Sequence, residues 1–214
     1  MTTQLELYNS ALVELGEEIL ASLLEDRKAR YVLDSIYAQV KAECLAVGSW
    51  NFAVRDVRLT ADAAVTEHYG FSETFAKPTD WVRTVSVSED ENYQQPLLRY
   101  KDEVNYLAAD TSPIYLLYVS NDIDFGENLA AWPQAYARYV VTQLAERSCM
   151  SITQNEQRHD KLERFTLIKA KRTALNQDII AEPTKFFPEN SWNASRHSGT
   201  GGRGDRGKLN RLIG

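Results

Sequence analysis

Thr111-Ser112-Pro113-Ile114-Tyr115-Leu116-Leu117-Tyr118-Val119-Ser120 is the stretch on which the reading of the fold turns. Thr111 to Pro113 reads as a turn. Ile114 to Val119 reads as an unbroken apolar strand, either buried on both faces or central in its sheet. Upstream, Val85 and Val87 alternate with Thr84 and Ser86, a second strand pattern entered through the turn Lys77-Pro78-Thr79-Asp80. Val104 to Leu107 predicts another strand, and Ser88 to Asn92 an acidic loop with Glu89, Asp90 and Glu91. Short strands joined by short turns predict an antiparallel sheet.

Working outward, both flanks change to helical periodicity. On the N-terminal side, Thr3 and Glu6 fit a capping box. Leu5, Tyr8, Leu12 and Leu15 follow at helical spacing up to a stop at Gly16. A second helix is predicted from about Glu25 to Val47, with Val32 or Leu33, Ile36, Val40, Cys44 and Val47 inward and Gly48 at its end. On the C-terminal side, Pro133 suits a first helical position, and Tyr136, Val140, Leu144 and Arg147 define one face up to about Met150. Thr153 and Glu156 fit a second capping box. A long helix then runs to about Ala181, with Leu162, Phe165, Ile168, Leu175 and Ile179 on one side. About 26 residues of helix span ~39 Å. Pro183 ends it.

The predicted fold class is therefore α+β, mainly α. It is a helical bundle of about four helices with an inserted small antiparallel β subdomain and an extended C-terminal arm. Residues 1–52 supply the N-terminal helices, 53–120 the β subdomain, 121–182 the C-terminal helices and 183–214 the arm. Trp50, Trp81 and Trp132 each stand at a junction between elements, where packing between the helical and β parts is expected.

The arm differs from the body in composition. It holds six of the ten glycines and six cations against two anions, a net of +4, which leaves −10 on the first 182 residues. A basic, glycine-rich segment offers no core of its own and is expected to order against a partner. It divides into an aromatic anchor, Phe186, Phe187 and Trp192, and a basic reach, Arg203, Arg206, Lys208 and Arg211, closing on Leu212 and Ile213. Such aromatics commonly anchor protein interfaces. The competing reading folds them back onto the last helix.

Several chemistries are disfavoured. The acidic body argues against a general nucleic-acid binder. No apolar run approaches the ~20 residues that span a bilayer, and the N-terminus lacks a secretory pattern. Cys44 and Cys149 read as buried free thiols. Gly202 to Lys208 matches a phosphate loop, but Leu209 replaces the magnesium-binding hydroxyl residue and no strand precedes it. Arg203-Gly204-Asp205 and Asn193-Ala194-Ser195 read as chance matches to an integrin tripeptide and a glycosylation acceptor. Asp122, Asp124 and Glu127 read as a solvated turn, since a calcium loop needs more oxygen ligands at loop spacing. His68, His159 and His197 have no Ser or Cys neighbours in a triad pattern, and His159 is placed on the surface. No catalytic, cofactor-binding or metal-ligating residues are assigned.

The run Asn9-Ser10-Ala11-Leu12-Val13-Glu14-Leu15-Gly16-Glu17-Glu18 resembles the A-L-x-x-L-G-E opening of phage head-to-tail adaptor proteins, the tail tubular protein A family of short-tailed bacteriophages. The resemblance continues through Ile19, Ser22-Leu23 and Glu25-Asp26 to Trp50-Asn51-Phe52-Ala53. It is taken up again at Lys77-Pro78-Thr79-Asp80-Trp81-Val82-Arg83, at Tyr115 to Val119 and at Pro133 to Glu146, covering about residues 1–182. The resemblance implies a non-enzymatic virion protein of the tail or neck, assembled in the host cytoplasm and used in genome ejection. Such proteins form a homo-oligomeric ring, usually of twelve copies, that joins the portal at the capsid vertex to the tail nozzle or tube. DNA passes through the channel without sequence-specific binding, and no membrane is involved. The arginine and glycine content of the arm departs from the family. The second reading is an accessory protein that contacts nucleic acid through Arg203, Arg206, Lys208 and Arg211.

Overall fold

A computed structural model of the chain describes residues 2–62 and 70–181. The predicted arm and its nine named residues, the phosphate-loop match, His68 and His197 lie outside the described residues. The described chain is α+β and mainly α, with 45% helix and 19% strand.

Helix α1 (Gln4–Leu15) starts at the predicted capping box. The Thr3 hydroxyl accepts from the Glu6 amide, and the Glu6 carboxylate accepts from the Thr3 amide at 2.9 Å. Gly16 closes the helix at φ 69°, a left-handed conformation that costs glycine little. The connector that follows is pinned by Asn9, whose amide group exchanges two hydrogen bonds with the Leu20 backbone. Helix α2 (Lys28–Val47) begins three residues later than the sequence predicts, and buries Leu33, Val40, Cys44 and Leu45. Residues 21–27 instead form a tight connector, in which Glu25 accepts from the Ala21 amide and Arg27 donates back to the Ile19 carbonyl.

Helix α3 (Gln134–Ile152) is the centre of the bundle: α1, α2 and the last helix all pack on it. Tyr136, Val140, Leu144 and Cys149 are buried along it, while Arg147 turns out to an ion pair with Glu43 of α2. Trp50 fills the join between α2 and α3, against Tyr136 at 4.8 Å between ring centroids. Its indole N–H donates to the Cys44 carbonyl at 3.0 Å. Both cysteines are free and buried. Burial pushes the Cys44 thiol up to about 12, so it stays protonated and inert.

The last helix runs without a break through α4 (Glu156–Lys161), a π-helical segment (Leu162–Leu167) and α5 (Ile168–Ala181). Its N-cap is Asn155, whose side chain accepts from the Arg158 amide at 3.0 Å. The predicted Thr153 capping box is not formed: the Thr153 hydroxyl donates back to the Cys149 carbonyl and closes α3.

Six strands lie between the helical halves, and they form two sheets where the sequence predicts one. The first has the order β1-β6-β3, from Val54–Leu59, Ile114–Ser120 and Trp81–Ser88. The second has the order β2-β5-β4, from Glu73–Ala76, Tyr106–Ala109 and Tyr100–Asp102. All pairings are antiparallel. The apolar strand β6 is central, as one of the two predicted placements requires. Val104 is 84% exposed in the β4–β5 turn, and the strand predicted there begins at Tyr106. Strand β1 carries Arg55, Asp56 and Arg58 between its apolar residues, which hid it from a reading by hydropathy.

The two sheets face each other across a core of their own, with Phe75, Leu107 and Ala109 against Val87, Ile114, Leu116 and Tyr118. Strand β6 leaves this core at its far end, where Val119 joins the core of the helical bundle. Residues up to Ala181 form one compact unit.

Candidate functional site

One feature that packing does not explain is the outer face of the last helix, where four large apolar residues are exposed together. Leu162, Ala170 and Ala174 are buried, and Leu167 and Leu175 partly so. The apolar stripe predicted on one side of this helix is therefore divided. Leu162 and Leu175 point to the bundle, but Phe165, Ile168 and Ile179 are 71%, 62% and 68% exposed. Ile180 is exposed as well. The reason is geometric. The π-helical segment takes up an extra residue per turn and advances the inward face, and alanines then bring α5 close to α3. The large apolar residues are left on the far side. Between Arg164 and Asn176 the exposed face also carries Lys169, Lys171 and Arg172, and no acidic residue. These three cations have no ion pair among the described residues.

A second feature lies between α1 and α3. A groove of about 640 Å³ is lined by Glu6, Ser10 and Glu14 of α1 and by Gln134, Arg138 and Val141 of α3. Spacing of four along α1 puts Glu6, Ser10 and Glu14 on one face. Glu14 Oε1 accepts from the Thr142 hydroxyl at 3.4 Å, and Oε2 is buried with no hydrogen-bond partner among the described residues. Burial pushes the Glu14 carboxyl up from its ordinary value, against the Thr142 hydrogen bond and the Arg138 charge. Val13, beside it, is 63% exposed. A third hollow, about 780 Å³, lies between Trp50, Phe52, Pro133, Tyr136 and the end of α5.

The polar clusters elsewhere are structural in their geometry. Asp80 accepts from the hydroxyls of Tyr118 and Ser120 and pairs with Arg55 at 3.2 Å. It ties the turn before β3 to β1 and β6. Lys77 is nearly fully buried over the Trp81 ring and pairs with Asp102, linking the two sheets. Ser120 is wholly buried, so no substrate reaches its hydroxyl. His159, placed on the surface by the sequence, is half-buried with Nε2 3.2 Å from Glu146 Oε1. Its ligand atom lies within 4.8 Å of those of Asp160 and Glu163. Since His159 is engaged by Glu146 and Asp160 by Arg164, the group reads as a set of structural polar contacts. In the turn before α3, Glu127 pairs with Lys41 at 2.8 Å and Asp122 accepts from the Asp124 amide.

The sequence places Leu162, Phe165, Ile168, Leu175 and Ile179 together on one side of the last helix, and the structure divides them. The signal that separates the halves was present: Ala170 and Ala174, four apart, mark the close-packed side. The Glu14 groove had no sequence signal, because it depends on which face of α1 lies beside α3. Among the described residues, no helix is long and apolar enough to cross a membrane. The chain matches no protein-family model, and no curated protein matches it. The class the structure defines is an α+β protein, mainly α, with apolar residues left uncovered on its last helix.

Proposed function

We propose that this protein is a structural component of a phage tail neck. It would form a homo-oligomeric ring, of twelve copies by resemblance, between the portal and the tail nozzle or tube. The observation that carries this reading is the exposed row Phe165, Ile168 and Ile179. A helix face that leaves three large apolar side chains in water is costly unless an assembly covers it. The resemblance along residues 1–182 and the helix–strand–helix order support the same reading. So does the −10 charge of those residues, since an acidic wall lets DNA slide without adhering. The role is mechanical and needs no catalytic group. The arm, with Phe186, Phe187 and Trp192 followed by Arg203, Arg206, Lys208 and Arg211, would reach the portal, the nozzle or the next subunit.

Negative-stain imaging or native mass of the purified chain mixed with its portal is the test. The expected result is a ring of uniform copy number. A chain that stays monomeric and never joins portal or nozzle would sink the reading. Salt-dependent DNA binding that disappears on deleting residues 196–214 would favour the nucleic-acid reading instead.

A further inference from the structure

Two surfaces of this chain are complements of each other. The outer face of the last helix presents Phe165 of the π-helical segment and Ile168 of α5 among Lys169, Lys171 and Arg172. The outer face of α1 presents Val13 among Glu6 and Glu14, with Glu17 just beyond its Gly16 cap, and α1 itself contains no cation. Ile19, 59% exposed, extends the apolar part of that surface into the connector. The α5 side carries cations and the α1 side carboxylates, with Arg138 of α3 bordering the latter. The α1 face also has a receptor for a cation, because Glu14 Oε2 is buried in an open groove with no donor among the described residues.

We propose that the α5 face of one copy docks against the α1 face of a second copy, with a cation of α5 entering the α1–α3 groove to meet Glu14. The two patches consist of different residues, so the contact is head-to-tail and leaves a free patch of each kind at the ends. This proposal gives the ring its side-to-side contact and rests on the ring reading for closure. The contact also accounts for a cost in the free chain. A carboxylate with its ionisation opposed by burial destabilises the monomer at neutral pH, and an incoming guanidinium or ammonium offsets that. Arg138 borders the groove and attracts Glu14 from one side, but it leaves Oε2 without a donor.

The test uses the full chain. Val13→Cys and Ile168→Cys are both exposed substitutions, and the native Cys44 and Cys149 are buried. Mixing the two variants with a short bismaleimide should crosslink Val13→Cys to Ile168→Cys about tenfold more than either variant to itself. Crosslinking that is equal in all mixtures, or absent, overturns the proposal. Glu14→Gln should leave the melting temperature of the isolated chain unchanged or raised, yet weaken self-association in sedimentation about tenfold at low salt. Unchanged association by Glu14→Gln also overturns it. A ring on the portal without the Val13–Ile168 crosslink rejects this contact and leaves the ring reading standing. The crosslink without a ring does the reverse.

Discussion

Gly126 has no room for a side chain. A Cβ there would stand 2.2 Å from the Ser120 carbonyl oxygen and 2.9 Å from Leu45 Cδ2. Its own carbonyl accepts from the Trp132 indole at 2.9 Å, so the turn cannot shift freely. Gly126→Ala is expected to destabilise by ~2–3 kcal/mol, as overpacking does, read by chemical denaturation. Asp80 carries a different constraint. Burial pushes its carboxyl up, but hydrogen bonds from Ser120, its own backbone N–H and Tyr118, together with the Arg55 charge, outweigh this and hold it below its ordinary value. A depressed carboxylate contributes stability above its unfolded value and loses it as pH falls through the folded one. Stability should therefore drop below about pH 4, and Asp80→Asn should flatten that drop while costing ~1–3 kcal/mol at pH 7. Acid denaturation of the two chains in parallel is the measurement.

At the scale of the element, the last helix separates into a side that holds the fold and a side that does not. Leu162→Ala should cost ~2–4 kcal/mol, because it opens a cavity against α3. Phe165→Ser should change stability by less than ~0.5 kcal/mol, as at other surface positions. Thermal melts of both variants check the pair, and equal losses would mean that Phe165 is covered in the free chain. The same helix shows what a sequence can and cannot disclose. Local chemistry was legible: the Thr3–Glu6 box, the Gly16 stop and the central strand Ile114–Val119 all depend on neighbours in the chain. The Asn155 cap was missed because Thr153 and Glu156 offer an equally good local pattern, and the end of α3 decided between them. A period of 3.6 groups Phe165 and Ile168 on one side with Leu162 and Leu175, but that period fails across a π-helical turn. Strand β1 was missed because its partner β6 lies some 60 positions away, and only that pairing makes Arg55 and Arg58 strand residues.

For the whole molecule, the charge and the two cores make a sharper statement than any single residue. Residues up to Ala181 form one compact unit, so a chain ended after Ala181 should retain a cooperative melt. That truncation is expected to weaken incorporation into a tail at least tenfold, because the aromatic and basic residues beyond it are then missing. Quantifying the truncated chain in assembled particles checks this, and wild-type incorporation would refute a docking role for the arm. The fold class was readable because helical and strand periodicities occupy separate stretches of the chain. The candidate site was not, because surface exposure of an apolar residue follows from what the fold leaves uncovered.

Alanines at the α3–α5 seam have one more consequence. Ala170 and Ala174 bury little area, so α5 is held to the unit by far less apolar contact than α3 is. Its backbone amides should then exchange with deuterium through a partial opening of low free energy, well below that of the α3 core. In the free chain the last helix would detach and re-form many times before the rest unfolds. Covered by a neighbour, the same amides would slow toward the global rate, so that deuterium uptake at α5 would report the moment of assembly.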